Sequence, residues 1–187
     1  SGSVDLTLRS YMNGTVTRSM AVGAGTSVTA EAQGNNLDFY ALNVKVDLTV
    51  NGTLNATTKG CEYQNDYPVA LLVGETLRVV GGQVTATSEG RNGNDGCQGY
   101  GIKANVLEIG GGGTVRAYSN GYSTKTNRYD GKEAIYVSSN LTVDLGGYLY
   151  AKTQNPILSN ENENGALKVN GSWDLSGTNG DTAYTKA

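Results

Sequence analysis

The chemistry open to this 187-residue chain is bounded first by a residue type it lacks: it has no histidine. That removes Ser-His and Cys-His nucleophile systems and imidazole metal ligands, and leaves carboxylates, arginine, lysine and tyrosine to carry any site. Three carboxylates recur just ahead of similar apolar runs. Asp66 and Asp130 each stand four residues before an alanine, and Asp95 lies slightly further back. With Glu62, Glu89, Glu133, Asn65 and Asn94 nearby, they offer the all-oxygen donor set that calcium takes. No Asp-x-Asp-x-Asp loop is present, and Asp-Gly at 95–96 and 130–131 is also plain turn chemistry. Calcium is therefore the candidate cofactor, with turn formation as the alternative.

The tyrosines concentrate in the same stretches. Residues 57–69, 87–100 and 118–133 hold Tyr63, Tyr67, Tyr100, Tyr118, Tyr122 and Tyr129, together with Arg91, Arg128 and many Asn, Asp and Gly residues. Flat aromatic faces beside amide, carboxylate and guanidinium groups suit sugars, whose C–H faces stack and whose hydroxyls hydrogen-bond. The other reading is that these rings pack their own loops and leave only the hydroxyls wet. Cys61 and Cys97 are the only cysteines and fall in neighbouring stretches. In an oxidising compartment they are candidates for a loop-to-loop disulfide, and in a reducing one they stay free thiols. Two cysteines do not make a zinc site. A paired-carboxylate glycosidase, or a calcium-and-arginine lyase using Arg91, Arg116 or Arg128, stays open, with no constellation that selects either. Five Asn-x-Ser/Thr triplets begin at Asn13, Asn51, Asn55, Asn140 and Asn170, and three of them are Asn-Gly corners that read better as turns.

The elements that must position these residues are announced by repetition. In Leu77-Arg-Val-Val-Gly-Gly-Gln-Val-Thr-Ala86 two runs alternate apolar with polar residues around a glycine pair. Period-two alternation marks half-buried strands, and the glycines mark a sharp corner. Similar text begins at Met20, Leu48, Leu107, Leu141 and Leu167, with successive spacings of 28, 29, 30, 34 and 26 residues. A third strand precedes each copy, at Ala41–Val44, Ala70–Val73, Gly101–Ala104 and Ala134–Val137, with 156–159 as a weaker version. A strand-corner-strand unit cannot bury its own apolar face, so copies must stack. The expectation is an all-β, right-handed parallel β-helix with three short strands per turn and about six rungs, its hand taken from the general crossover preference. A β-sandwich is the competing fold, and it has no reason to repeat this text.

Three ladders of inward residues are expected, one per sheet: Leu42, Leu71, Ile102 and Ile135; then Leu48, Leu77, Leu107, Leu141 and Leu167; then Leu54, Val84, Val115 and Leu149. Residues 1–19 read as an N-terminal cap, with Asn13-Gly14 turning a hairpin into Thr15-Val-Thr17. Residues 20–187 form the β-helix, closed by a C-terminal cap around Trp173, which falls in the small-aliphatic slot of the third ladder. Stacked corners stay in register, so the three long stretches should project side by side from one edge, with only 152–155 as the matching connection after Ala151. Loops on a rigid scaffold are where binding usually resides.

Composition narrows the partners. The net charge of −3 gives no electrostatic footprint for nucleic acid, and no apolar run is long enough to span a membrane. Thr, Asn, Gly and Tyr richness with few lysines suits a secreted or cell-surface protein, read here as a monomer. The repeated Leu-x-Val-x-Gly-Gly-x-Val-x-Ala text, and Asp130-Gly-Lys-Glu-Ala-Ile135 entering a new rung, resemble a bacterial family of secreted carbohydrate-binding β-helix domains. That family is similar in architecture to pectate lyases. The resemblance spans roughly residues 20–175. It implies calcium and an acidic polysaccharide, with Asp130, then Asp66 and Asp95, as metal ligands. This chain departs from the family pattern in lacking Asp-Gly-Ile at every rung and in its Asn-rich final rung. The expected function is non-catalytic binding of a polysaccharide or host-surface glycan on the long-loop edge. The alternatives are an adhesin stalk segment without glycan affinity and a polysaccharide lyase.

Overall fold

The computed structural model describes residues 4–11, 14–34, 39–59, 68–89, 99–119, 133–153 and 166–174. Among the described residues sixteen strands follow the chain in six rungs. The first rung holds β1 (Val4–Tyr11), β2 (Thr15–Thr17) and β3 (Met20–Val22). The second holds β4 (Thr26–Gln33), β5 (Tyr40–Val44) and β6 (Leu48–Val50). Next come β7 (Thr53–Lys59) with β8 (Val69–Val80), then β9 (Gln83–Glu89) with β10 (Tyr100–Gly110). The last two rungs are β11 (Thr114–Ser119), β12 (Ile135–Val137) and β13 (Leu141–Val143), then β14 (Tyr148–Thr153), β15 (Leu167–Val169) and β16 (Trp173–Asp174). Among the described residues every ladder is parallel and joins each strand to its copy one rung away. The chain is a parallel β-helix.

The three expected core ladders exist, but on two sheets rather than three. Leu54, Val84, Val115 and Leu149 stack along a six-stranded sheet of order β1-β4-β7-β9-β11-β14. The Leu42 and Leu48 ladders share one ten-stranded sheet. In the third and fourth rungs the corner between those two ladders is shallow enough for one strand to pass it. β8 runs unbroken from Val69 to Val80, and β10 passes the corner with a register shift between Ala104 and Val106. Backbone and side-chain bonds bridge the rungs there. The Glu75 N–H donates to Val46 O at 3.0 Å, the Thr76 N–H to the Asp47 carboxylate at 3.1 Å, and Asn105 Nδ2 to Glu75 Oε2 at 3.3 Å. Leu42, Leu48, Leu71, Leu77, Ile102, Leu107, Ile135, Leu141 and Leu149 are all fully buried in one continuous core.

The glycine pair makes the sharp corner that separates the two sheets. Gly81 adopts φ +67°, a left-handed conformation that L side chains rarely take. Gly82 lies against the rung before it, where a Cβ would sit 2.6 Å from Val50 O. One glycine supplies the turn and the other the close approach.

Both ends differ from expectation. Val4–Tyr11 does not fold back on Thr15–Thr17. β1 pairs with β4 and β2 with β5, so the segment around Gly14 carries the chain between sheets and makes no hairpin. Strands β1, β2 and β3 make a first rung paired as the later ones are. At the other end the register is shifted relative to the repeat alignment. Leu167 stacks on Ile135 and Trp173 on Leu141, so Trp173 belongs to the Leu48 ladder and not to the third. Lys168 accordingly lies beside Tyr136, and Asp174 beside Thr142. The cause is that Ile135-Tyr-Val137 and Leu141-Thr-Val143 carry the same apolar-x-apolar pattern, so periodicity cannot tell one strand of the sheet from the next.

Candidate functional site

The long connections leave from one edge. Their roots are stacked: Thr57, Thr87 and Tyr118 are in register at the ends of β7, β9 and β11, and Val69 pairs with Tyr100 where β8 and β10 begin. The connection after Ala151 belongs with them. β14 ends at Thr153, and β15 at Leu167–Val169 takes the place beside β12 that 156–159 was expected to fill, while residues 154–165 lie outside the described residues.

Buried hydroxyls pin the roots. Thr58, Ser88 and Ser119 form an inward ladder of polar groups at the loop end of the six-stranded sheet, where the apolar column gives way. Thr58 and Ser88 hydroxyls bond to each other at 3.2 Å, and Ser119 Oγ donates to Gly99 O at 2.6 Å. That last bond ties the end of β11 to the residue before β10. It satisfies groups that would otherwise be buried without partners.

Two aromatic–cation clusters flank this edge, one on the outer face of each sheet. On the ten-stranded sheet, the Tyr100 and Tyr136 rings meet edge-on with centroids 6.0 Å apart. Lys103 Nζ lies 5.5 Å from the Tyr100 centroid and 5.6 Å from that of Tyr136, and Lys168 Nζ lies 5.9 Å from Tyr136. Asn170 Nδ2 donates to the Tyr136 hydroxyl at 2.6 Å. The Glu133 carboxylate, whose residue is only 4% exposed, sits 4.0 Å from Lys168 Nζ at the foot of this cluster. On the six-stranded sheet, Tyr118 and Tyr150 pack tilted at 5.7 Å, and the Arg116 guanidinium lies 5.1 Å from the Tyr148 centroid. Lys152 stands opposite Tyr118 in the ladder. Cations held over ring faces are attracted by the aromatic quadrupole, which fixes both partners in place.

Of the expected ligand-binding residues, Tyr100 and Tyr118 are thus brought to opposite flanks of one edge. Tyr63, Tyr67, Arg91, Tyr122, Arg128 and Tyr129 lie outside the described residues, as do Asp66, Asp95 and Asp130 and the cysteines Cys61 and Cys97. Among the described residues no group of three acidic, cysteine or histidine side chains converges as a metal site. Glu133, expected to lie near a calcium site, is turned to Lys168.

Tyr136, Tyr148, Tyr150, Lys103, Lys168 and Asn170 are not among the site residues expected from the sequence. Strand parity was the signal that could have found them. Tyr136 lies between inward Ile135 and Val137, and Tyr150 between inward Leu149 and Ala151. Each therefore faces outward, one rung from Lys103 and Arg116 respectively.

Away from this edge the outer faces carry ordinary surface chemistry. The ladder of Thr49, Arg78, Glu108 and Thr142 holds a 2.6 Å bond between Arg78 and Glu108. The Glu108 hydrogen bond and negative charge hold the Arg78 guanidinium above its ordinary pKa.

Comparison with protein-family models, with curated protein sequences and with solved structures finds no match to this chain. Among the described residues no helix is long and apolar enough to cross a membrane.

Proposed function

We propose that the chain is a non-catalytic glycan-binding β-helix, displayed at a cell surface or secreted, that holds polysaccharide along its long-loop edge. The observation that carries this reading is the pair of tyrosine clusters on either side of that edge: Tyr100–Tyr136 with Lys103 and Lys168 over its rings, and Tyr118–Tyr150 beside Tyr148, whose ring Arg116 covers. An aromatic ring offers a flat apolar face to the C–H side of a pyranose. The adjoining Lys103, Lys168, Arg116 and Asn170 offer donors to its hydroxyl or carboxylate oxygens. The backbone beneath is rigid, so the groups are ordered before a ligand arrives, and little side-chain entropy is lost on binding.

Calcium enters this proposal through Asp66, Asp95 and Asp130, whose carboxylates would bridge the protein to an acidic sugar. A glycan array probed with and without EDTA tests both parts. Binding to a polysaccharide class that weakens on changing Tyr118 or Tyr136 to alanine supports the reading, and loss of that binding in EDTA adds the metal. An array flat under both conditions rejects it in favour of the stalk segment. That second reading draws on the unbroken Thr29, Asn55 and Thr85 ladder, which gives a stiff and chemically plain face. Unsaturated product released from pectin in calcium would instead establish the lyase.

A further inference from the structure

Among the described residues no strand lies above the first rung. β1 is the terminal strand of its sheet, and among the described residues it pairs on one side only, with β4. Leu6 and Leu8 sit above Val28 and Ala30 of the core ladder. Leu6 is nonetheless 45% exposed and the preceding Val4 59%, because no described strand lies on top of them. An eight-residue strand with a free edge and apolar side chains is a template for another strand unless something repels it.

We propose that the partner at this edge is a second copy of the same chain, paired antiparallel through β1 about a two-fold axis at Thr7. The charge order of the strand argues for that occupant. Asp5 and Arg9 are placed symmetrically about Thr7, and both project from the outer face of the sheet, in register with Ser27 and Glu31. In the antiparallel pair Asp5 of each copy faces Arg9 of the other, while Leu6 faces Leu8. An isologous interface requires such a self-complementary surface.

The backbone meets the same requirement. The Val4 N–H points to the partner strand inside the chain, donating to Gly25 O at 3.3 Å. By the alternation of strand amides, the N–H and C=O of Asp5, Thr7 and Arg9 point to the free edge. Those residues become the hydrogen-bonded pairs of the new ladder. Leu6 and Leu8 fall in the non-hydrogen-bonded pairs, where side chains approach most closely, with Cα atoms about 4.5 Å apart. The Arg9 guanidinium already lies 3.3 Å from Glu31 within the chain, so an incoming Asp5 completes an acid–arginine–acid row. A parallel arrangement would place like groups beside each other along the whole strand and lose this match.

The test is sedimentation velocity on the full chain over a concentration series to about 100 µM. The expected species has twice the 19.5 kDa chain mass. Asp5→Arg and Arg9→Asp, both at exposed side chains, should each weaken self-association by about tenfold or more, because each reversal puts like charges opposite one another twice in the symmetric pair. An equimolar mixture of the two variants should dimerise again, since every contact across the mixed pair is complementary. Unchanged melting temperatures would show that the variants remain folded. Three results would overturn the proposal: a wild-type chain that stays at the monomer mass, single reversals that dimerise as tightly as wild type, or a mixture that remains monomeric. The monomer expected from the sequence is the first of these.

Discussion

Tyr118 and Tyr136 are the side chains on which the proposed function turns, and each is held by a neighbour that can be removed separately. Tyr118→Ala or Tyr136→Ala should lower affinity for a bound polysaccharide by about tenfold with no change in fold, read by calorimetric titration. Arg78→Ala, away from the edge, should leave binding untouched. It should also move stability by only about 0–1 kcal/mol, because the Arg78–Glu108 pair is exposed to solvent screening. The raised pKa of Arg78 favours the folded state fully below the ordinary arginine pKa, and that contribution is lost only as pH rises through the higher folded value. Removing the pair should therefore leave the pH dependence of melting near neutrality unaltered. Ser119 differs in kind. Its hydroxyl is buried and bonded to Gly99 O, so Ser119→Val leaves a buried carbonyl without its donor. About 1–3 kcal/mol of stability should be lost, measured by urea unfolding.

At the level of the strand and its corner, stability depends on how closely one rung approaches the next. A methyl group at position 82 would meet Val50 O and Gly52 O inside van der Waals distance, and Val50 and Gly52 belong to the previous rung's backbone. Gly82→Ala should cost about 1–3 kcal/mol through overpacking, whereas Gly112→Ala meets nothing within 4 Å and is penalised only by its positive φ. Leu107→Ala, between Leu77 and Leu141 in a fully buried column, should cost about 2–5 kcal/mol. Circular-dichroism melts of the three variants rank these expectations directly. A Gly112 variant less stable than the Leu107 variant would contradict the stacking account.

For the molecule as a whole, the ladders among the described residues join each rung only to its neighbours, so the proposed self-association falls to the first rung. The first rung replaces part of the apolar column by hydroxyls: Thr15 and Thr17 stand where the next rung has Leu42 and Val44, and Ser10 where it has Ala32. This softens part of the first rung and leaves Met20 and Val22 on one sheet and Leu6 and Leu8 on the other as its apolar remainder, the latter pair on β1. In the proposed dimer the paired charges of Asp5 and Arg9 would make the Leu6 and Leu8 contact selective. The far end is asymmetric to it: Trp173, 36% exposed, lies over Leu141.

What residue order alone determined here was the unit and its repetition. Alternation places Leu42, Leu48, Leu54 and their copies inward because a strand has only two faces, and a repeat that cannot bury its own apolar side must stack. Tertiary structure decided how many sheets the unit makes, which copy pairs with which at the ends, and which tyrosines meet. A shallow corner and a sharp one differ in backbone pairing across rungs, which no window of residues contains. Ile135-Tyr-Val137 and Leu141-Thr-Val143 are interchangeable as text, and only the stacking of Leu167 on the first and Trp173 on the second distinguishes them. Tyr118 and Tyr150, or Tyr100 and Tyr136, are a full rung apart in the chain. They touch because parallel stacking brings residues some thirty positions apart to within about 5 Å of each other.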